Sequence, residues 1–376
     1  MRIDRVELFL LRLPLKKPFE TSFGVDKHRT PILCRVESEG AVGWSECVAQ
    51  ERPEYSSETV ESCWHALVDF LVPRVTGVDV DHETVADRFA GVRGNHMARA
   101  TLEMAVWDLA AKRRRVSLAT LLGGTRDRIL SGVSIGLQAS LDALVETVRQ
   151  ERGAGYLRIK MKIKPGMDAQ IAERIRREFS DLEFMLDANS AYTLADTPLF
   201  QRIDATRPMM IEQPLAHDDI IDHATLQRAI RTPICLDESI HTAEDARKAI
   251  GIGATRVINI KAGRVGGLRE AKRIHDVAER SGVPVWCGGM LETGIGRAHN
   301  VHLASLLNFR LPGDVSASDR YFETELIAQP FALARDGTIA VPRDPGIGVT
   351  VLEERVRELA ERYAEPLRRA MPSSRS

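Results

Sequence analysis

Five short apolar runs decide the fold: IKMK at 159–162, FMLD at 184–187, MMIE at 209–212, ICLD at 234–237 and INIK at 258–261. Their last residues recur every 24 or 25 residues, and charged amphipathic segments lie between them. This alternation is typical of parallel βα units. Similar runs end near Ile135, Gly289 and Val315, the last being the least regular. The sequence therefore predicts an α/β protein with a TIM barrel of the (β/α)7β type.

A second structural unit is predicted before the barrel. Strand-like runs at 2–13, 31–38 and 41–49 suggest an antiparallel meander, with Glu39-Gly40 as a tight turn. The polar segment 18–30 between the first two runs predicts a mobile loop, and its part from Phe19 to Val25 either closes over a substrate or is a surface loop only. Helical periodicity follows at 56–75, 82–92 and 96–115. These elements predict an α+β lobe.

Beyond Tyr321, a strand-like stretch at 327–342 and a helical stretch at 351–371 exceed what a barrel requires. We expect them to pack back on the first lobe, and the last six residues to be disordered. The predicted domains are therefore a capping domain over 1–123, a catalytic barrel over 124–321, and a C-terminal segment over 322–376 that completes the capping domain.

Composition excludes several classes of partner. Lys and Arg total 52 against 53 Asp and Glu, so the net charge of -1 gives no long-range attraction to nucleic acid or to an anionic membrane. No apolar run approaches the roughly 20 residues that span a bilayer, and the N-terminus lacks a secretory pattern. The five cysteines show no CxxC spacing and are interpreted as reduced packing residues. A cytoplasmic protein is expected.

Three carboxylates end successive predicted strands: Asp187, Glu212 and Asp237. Residues at the carboxyl ends of barrel strands converge on one point, where three unpaired carboxylates would repel each other. Each alone also fits a salt-bridged or helix-capping residue, but the shared 25-residue register argues for a common role. Hard oxygen ligands suit Mg²⁺, or Mn²⁺ or Co²⁺, with one ion per active site.

Three lysines surround the predicted metal site. Lys160 and Lys162 are two residues apart on one strand and project to the same face. Lys261 ends the sixth strand, diametrically opposite the second in an eight-stranded barrel. A base at neutral pH needs a lysine pKa well below about 10.4, so burial, the metal and nearby cations such as Arg264 are expected to lower it. This set suits removal of a proton next to a carboxylate, with the metal stabilising the enediolate.

The order KxK, Asp, Glu, Asp, Lys resembles the enolase superfamily, and within it the muconate-lactonising subgroup. More closely, GYLRIKMKIKPG at 155–166, INIKAGRVGG at 258–267 and CGGMLETGIGRAHN at 287–300 are similar to N-acylamino acid (N-succinylamino acid) racemases and o-succinylbenzoate synthases. This resemblance implies a small carboxylate substrate with an acyl arm, Lys162 and Lys261 as the acid/base pair, and Lys160 as a stabiliser of the enolate. It also implies a homo-oligomer, such as an octamer.

The same residue set permits alternatives to a two-base racemase. The same residues also fit a dedicated o-succinylbenzoate synthase of menaquinone biosynthesis, which the sequence does not separate from a racemase. Mandelate-racemase-like members need a His at the seventh strand end, which WCGGMLETG lacks, and Asp314-Val315-Ser316 breaks the Asp-x-Asp of dipeptide epimerases. A non-catalytic binding module would have to retain several ionisable residues at one face at a cost in stability.

Seven further residues are candidates for contacting the substrate or supporting the metal ligands: Ser134, Asn189, Glu238, Arg264, Gly289, Met290 and Ser316. Asn189 and Glu238 neighbour predicted ligands, although ordinary structural hydrogen bonding explains them equally well. The others lie at or near strand ends, where they are placed to line a pocket. Core packing is an even alternative for Met290.

Overall fold

The computed structural model describes residues 1–21 and 24–360. Its strands are β1 (Arg5–Leu10), β2 (Leu13–Glu20), β3 (Val25–Arg29), β4 (Ile32–Ser38), β5 (Ala41–Cys47), β6 (Arg128–Leu130), β7 (Val133–Ile135), β8 (Ile159–Lys162), β9 (Phe184–Asp187), β10 (Ile211–Glu212), β11 (Ile234–Leu236), β12 (Val257–Ile260), β13 (Val285–Cys287) and β14 (Thr338–Ala340). Its α-helices are α1 (Val60–His65), α2 (His96–Arg113), α3 (Leu118–Leu122), α4 (Leu141–Gly153), α5 (Ala169–Glu178), α6 (Thr197–Asp204), α7 (Ile221–Ala229), α8 (Ala243–Gly251), α9 (Ala262–Val265), α10 (Leu268–Arg280) and α11 (Gly294–Leu303). None of the described helices is long and apolar enough to cross a membrane.

The capping lobe contains the predicted antiparallel meander. Its strand order is β1-β4-β5, and the turn at Glu39-Gly40 has positive φ at both residues, as a two-residue hairpin requires. Helix α2 packs closely on β5, because a Cβ on Gly43 would lie 2.2 Å from the carbonyl oxygen of Ala105. The predicted helix at 56–75 begins with α1 and continues as a π-helical turn at Ala66–Leu71 and a 3₁₀ turn at Val72–Arg74.

The prediction of a loop over 18–30 is wrong for most of its length. Strands β2 and β3 pair antiparallel, with Glu20 opposite Val25, and residues 22–23 of the expected covering loop lie outside the described residues. Strand β3 is almost entirely polar and β2 is interrupted by Lys16, Lys17 and Pro18, so the sequence pattern does not predict their pairing. Backbone contacts fix it instead: the carbonyl oxygen of Glu20 accepts from the amide of Leu137, 3.0 Å away, after β7. The hairpin therefore lies at the barrel mouth.

Seven parallel strands form the barrel sheet in the order β13-β12-β11-β10-β9-β8-β7. Residues 313–315 close it without a regular strand: the amide of Asp314 donates to Cys287 at 2.8 Å, and the amide of Gly132 donates to Gly313 at 2.7 Å. The predicted strand ends agree with the observed ones to within two residues. The (β/α)7β-type barrel with its α+β capping lobe is confirmed, including the irregular eighth position.

Two carboxylates of the capping lobe cap barrel helices. Glu103 of α2 accepts from the amides of Leu268 and Arg269, 2.8 and 2.9 Å away, at the start of α10. Glu46 of β5 accepts from the amide of Thr293, 3.1 Å away, at the start of α11. Helix N-termini favour such anionic partners because their first amides lack intrahelical acceptors. The two lobes are thus joined through buried polar contacts as well as apolar packing.

Glu103→Gln is expected to weaken the pH dependence of stability. Burial raises the pKa of Glu103 to about 7, above the ordinary value of 4.5, so folding is progressively opposed as pH rises through this interval. One pKa unit corresponds to about 1.4 kcal/mol. Glutamine has no such proton to lose, so the variant should lose less free energy of unfolding between pH 5 and 8 in urea titrations. Exposed Glu61→Gln is the control, and identical pH slopes in wild type and Glu103→Gln would contradict the prediction.

The described part of the C-terminal segment contacts both lobes. Strand β14 pairs antiparallel with β6, and the amide of Ile347 donates to Asp108 of α2 at 2.7 Å. Residues 353–360 are helical, and the Arg357 guanidinium lies 5.0 Å from the ring centroid of Phe9 in β1. The remainder of the predicted final helix and the predicted disordered tail lie outside the described residues. The domain limits at 123 and 321 stay predictions.

Candidate active site

One cleft lies at the carboxyl ends of the barrel strands, beneath the capping lobe. The barrel contributes Lys160, Lys162 and Lys261, together with four of the further candidates: Ser134, Asn189, Gly289 and Met290. The capping lobe contributes Phe19, Thr21, Asp26, Gln50 and Tyr55. The cleft also includes Leu291, Asp314 and Tyr321. The structure therefore brings the predicted lysines into one site that both lobes build.

Lys162 ends β8 and is held by two acceptors. Its Nζ lies 2.6 Å from Oδ2 of Asp187 and 2.6 Å from Oδ1 of Asn189. Asn189 follows β9 with a positive φ of 41° and donates to Oε1 of Glu238 at 3.1 Å. These contacts fix the direction of the amine, and the Asn189 amide links it to Glu238, which follows β11 two strands further round the barrel.

Lys160 lies two residues before Lys162 and contacts three carboxylates. Its Nζ is 2.9 Å from Oε2 of Glu212, 3.1 Å from Oδ2 of Asp187 and 2.6 Å from Oδ2 of Asp314. Burial by itself lowers the pKa of Lys160, but Asp314, Glu212 and Asp187 outweigh it and raise the pKa above its ordinary value. The surrounding carboxylates therefore favour the charged form of this amine, which suits charge stabilisation better than proton transfer.

Lys261 follows β12 and is held from both lobes. Its Nζ lies 2.7 Å from Oδ2 of Asp237 and 2.9 Å from the hydroxyl of Tyr55, whose ring centroid is 4.5 Å away. Arg264, which is buried, donates to Oδ1 of Asp237 and to the carbonyl oxygen of Ile240 at 3.1 Å. Asp237 is thus surrounded by donors that orient it towards the amine.

Lys162 and Lys261 approach the cleft from opposite walls. Strands β8 and β12 are four places apart in the sheet order, and residues 313–315 complete the ring. Strands separated by half of an eight-membered ring face each other across it. A planar group bound between Lys162 and Lys261 would present one face to each amine. Their chemical roles stay predictions at this point.

The three predicted metal ligands are engaged with cations of the chain. Among the residues that the structure describes, only His275, Asp276 and Glu279 bring three ligand atoms within 4.8 Å of one another. Asp187 and Glu212 share Lys160, whereas Asp237 turns to Lys261. Asp187 and Glu212 therefore lie side by side, Asp237 faces Lys261, and the assignment of all three as ligands of one metal stays a prediction.

The donor set nevertheless fits a hard divalent cation. Glu238, next to Asp237, is 5% exposed, and its Oε2 atom has no hydrogen-bond partner among the described residues. Burial and the charge of Asp187 raise the pKa of Glu238 to about 7. Burial and Asp187 also raise the pKa of Glu212, despite Lys160. Such a concentration of buried carboxylate oxygen is relieved by a cation, and oxygen donors suit Mg²⁺.

At Lys261, the protein's own groups do not produce the lowered pKa that was expected from burial, the metal and neighbouring cations together. Burial lowers the pKa of Lys261, but Tyr55, Glu212 and Glu238 raise it above its ordinary value. The sequence shows which cations neighbour Lys261, but it does not show how closely the carboxylates approach its amine. A lower pKa therefore requires a divalent cation whose charge opposes these carboxylates.

Three of the further candidates lie behind the cleft wall. Ser316 is buried and accepts from Arg297 at 3.2 Å, and neither it nor Arg264 or Glu238 lines the cleft. Arg264 supports Asp237 from behind, and Glu238 accepts from Asn189.

Three residues at the site escaped sequence reasoning. Asn259 donates to Oε1 of Glu212 at 2.7 Å, and its position two residues before Lys261 on β12 was a usable signal. Asp314 was detectable as an ionisable residue at the eighth strand position. Tyr55 carried no local signal, because it comes from a loop 206 residues away from its partner Lys261.

Tyr55→Phe is expected to lower turnover about tenfold, the size of effect that losing one hydrogen bond to a charged group produces. The variant keeps the ring beside Lys261 but removes the hydroxyl 2.9 Å from Nζ, so the amine is less firmly directed. Steady-state kinetics should show the loss in kcat, with KM changed little. Phe70→Tyr, on the exposed face of the capping lobe, is the control. Unchanged kcat in Tyr55→Phe would contradict a role in directing Lys261.

Comparison with known proteins identifies the family. Residues 5–123 match the mandelate racemase / muconate lactonizing enzyme N-terminal domain, and residues 143–355 match the family described as enolase C-terminal domain-like. The chain belongs to the enolase superfamily. The resemblance in its motifs is therefore confirmed over nearly its whole length.

Individual enolase-superfamily relatives extend this match. The chain is 51% identical over 367 residues to o-succinylbenzoate synthase of Geobacillus kaustophilus, covering 97% of this chain and 96% of that protein. It is 48% identical over 350 residues to N-succinylamino acid racemase of Thermus thermophilus, covering 93% and 95%. A superfamily member from Listeria innocua has a TM-score of 0.91 at 40% identity, covering 95% of this chain and 97% of that chain.

This enolase-superfamily protein is an enzyme, as predicted. Members of the superfamily depend on a divalent metal and act on small-molecule carboxylates. The carboxylate-rich cleft with its three amines agrees with both properties.

Proposed function

We propose that this enzyme is an N-succinylamino acid racemase that transfers the α-proton between two lysines. The observation that carries the proposal is the placement of Lys162 and Lys261 on opposite walls of one cleft. Each amine is held by a carboxylate at 2.6 or 2.7 Å and aims at the same space. One base on each face of a carbon is the arrangement that inversion requires.

The residues of the chain have separate tasks in this proposal. Lys162 removes or returns the proton on one face of the α-carbon, and Lys261 does so on the other. Lys160 stays charged and stabilises the negative charge that develops on the substrate. Asp187, Glu212 and Asp237 would hold one Mg²⁺, Mn²⁺ or Co²⁺, which when bound supplies further positive charge for the substrate carboxylate.

We also propose o-succinylbenzoate synthase activity at the same site. Relatives that are 45–51% identical over nearly the full chain carry either that name or the racemase name. Syn dehydration begins with the same step: Lys162 takes the α-proton and then returns it to the departing β-hydroxyl, which leaves as water, so no further residue is needed. The second candidate is that the enzyme is a dedicated synthase of menaquinone biosynthesis, with racemisation incidental.

The test uses N-succinyl-L-phenylalanine in D₂O with Mg²⁺. Racemisation predicts loss of optical rotation together with deuterium at the α-carbon, read by NMR and mass spectrometry. Absence of both, in protein that binds Mn²⁺, would overturn the racemase proposal. The ratio of kcat/KM for this substrate and for the synthase substrate then separates the two candidates.

Assembly and location are also proposals. A homo-oligomer, with the octamer as the specific expectation, follows from the family, and analytical ultracentrifugation tests it. A cytoplasmic location stays a prediction.

A further inference from the structure

A buried group of charged side chains next to Lys160 has no task in the proposed catalytic roles. Asp314 lies between Lys160 of β8 and Arg158, the residue just before β8: its Oδ2 is 2.6 Å from Lys160 Nζ, and its Oδ1 is 2.7 Å from Arg158 Nη1. Arg158 is fully buried and donates also to the carbonyl oxygen of Pro312 at 2.7 Å. Trp286 completes the group.

Both cations lie over the same aromatic ring. The Arg158 guanidinium is 4.9 Å and the Lys160 Nζ 5.0 Å from the ring centroid of Trp286. The ring is itself anchored, because its Nε1 donates to the sulfur of Cys235 at 3.2 Å. Two buried like charges near one ring repel each other, and Asp314, which pairs with both of them, offsets that repulsion.

The position of Asp314 is enforced by the backbone around it. Its segment replaces a regular eighth strand, yet the amide of Asp314 is bonded to Cys287 at 2.8 Å. A Cβ on Gly289 would lie 2.5 Å from the carbonyl oxygen of Asp314, and one on Gly132 would lie 2.8 Å from the guanidinium of Arg158. Close packing therefore leaves this carboxylate little freedom to move away from Lys160.

A competition follows at Lys160. Two of its three partners, Asp187 and Glu212, are proposed metal ligands, and an oxygen that binds a divalent cation is no longer free to hold an ammonium. Asp314 is the third partner and stands outside that ligand set. We propose that Asp314 is a positioning residue that retains the Lys160 ammonium at the cleft wall, so that it neither competes for Asp187 and Glu212 nor leaves the substrate. The inference rests on the proposed function for its catalytic consequence only.

The first test measures Mn²⁺ affinity by electron paramagnetic resonance, without substrate. In Asp314→Asn, Lys160 loses its retaining anion and pairs more strongly with Asp187 and Glu212. The Kd for Mn²⁺ should therefore rise about tenfold, which is the lower end of the effects seen for residues that support metal ligands. In a Lys160→Met background the same substitution should change Kd little, because Asp314 acts through Lys160. An equal rise in both backgrounds, or no rise in either, would overturn the proposal.

The second test measures turnover. Asp314→Asn should lower kcat about 100-fold, as expected when a charged group is misplaced by about 1 Å, whereas Asp314→Glu should recover part of the loss. Asp108→Asn, a buried carboxylate of the capping lobe, is the matched control and should keep Mn²⁺ affinity and kcat. If Asp314→Asn does not fold, Mn²⁺ affinity is measured in Arg158→Lys instead. Weaker Mn²⁺ binding in that variant supports the proposal, and wild-type binding overturns it.

The two tests separate the inference from the proposed function. Wild-type enzyme that binds Mn²⁺ but exchanges no α-proton would refute the proposed function. The Mn²⁺ affinities of Asp314→Asn in the wild-type and Lys160→Met backgrounds would then still test the role of Asp314. Active wild type with wild-type kcat in Asp314→Asn would refute the positioning role and leave the function standing.

Discussion

Lys162→Ala and Lys261→Ala are each expected to lower racemisation by at least about 10³-fold, within the range that general acid–base catalysis contributes. Each variant should still exchange the α-proton of one enantiomer, and the enantiomer should differ between the two variants. The reason is geometric, because each amine stands on its own wall of the cleft and reaches one face of the carbon. Deuterium incorporation from D₂O into each pure enantiomer measures this.

Lys164→Ala provides the matched control for the lysine variants. Lys164 lies just beyond β8 and pairs with Glu20 at 3.6 Å, outside the cleft, so its loss should leave exchange of both enantiomers intact. Exchange of the same enantiomer by both alanine variants would refute the opposed-base assignment. So would racemisation by either variant within tenfold of wild type.

The barrel was predictable because its signal is periodic. An apolar run ending in an ionisable residue every 24 or 25 residues requires that the strand ends meet at one edge, whatever the connecting helices do in detail. The positions of Asp187 and Lys162 at the ends of β9 and β8 follow directly from that period. The lysines and carboxylates at those ends predicted the proton-transfer chemistry, and the family resemblance added the acyl-bearing substrate and the separate roles of the three lysines.

The contribution of the capping lobe to the site was not predictable from local sequence pattern. The end of the β2–β3 hairpin carries mostly polar residues, so its pairing depends on backbone bonds and on docking at the barrel mouth. Tyr55 reaches Lys261 across the lobe boundary, a contact between parts of the chain that share no local sequence pattern. The balance of charges around Lys261 was not predictable from the sequence either, since the direction of the pKa shift of Lys261 depends on its distances to Tyr55, Glu212 and Glu238.

Glu212→Gln is expected to abolish stabilisation by Mg²⁺. A ligand that binds only the folded state, present at 100 times Kd, adds about 2.7 kcal/mol to the free energy of unfolding. Glu212 is fully buried on β10, between the strands that lead to Asp187 and Asp237, so an uncharged amide there removes the central member of the proposed ligand set. Urea unfolding in Mg²⁺ and in EDTA should differ for wild type and coincide for the variant.

The same substitution should lower turnover by about 10³-fold or more, because a lost metal removes several kcal/mol of charge stabilisation in the transition state. Glu58→Gln is a suitable control, since Glu58 is a buried carboxylate that caps α2 through the amide of Met97 at 2.9 Å. Its loss should lower stability equally in Mg²⁺ and EDTA and so preserve the difference between them. A full Mg²⁺-dependent difference in Glu212→Gln would exclude Glu212 as a metal ligand, and the metal would then have to bind through Asp187, Asp237 and Glu238.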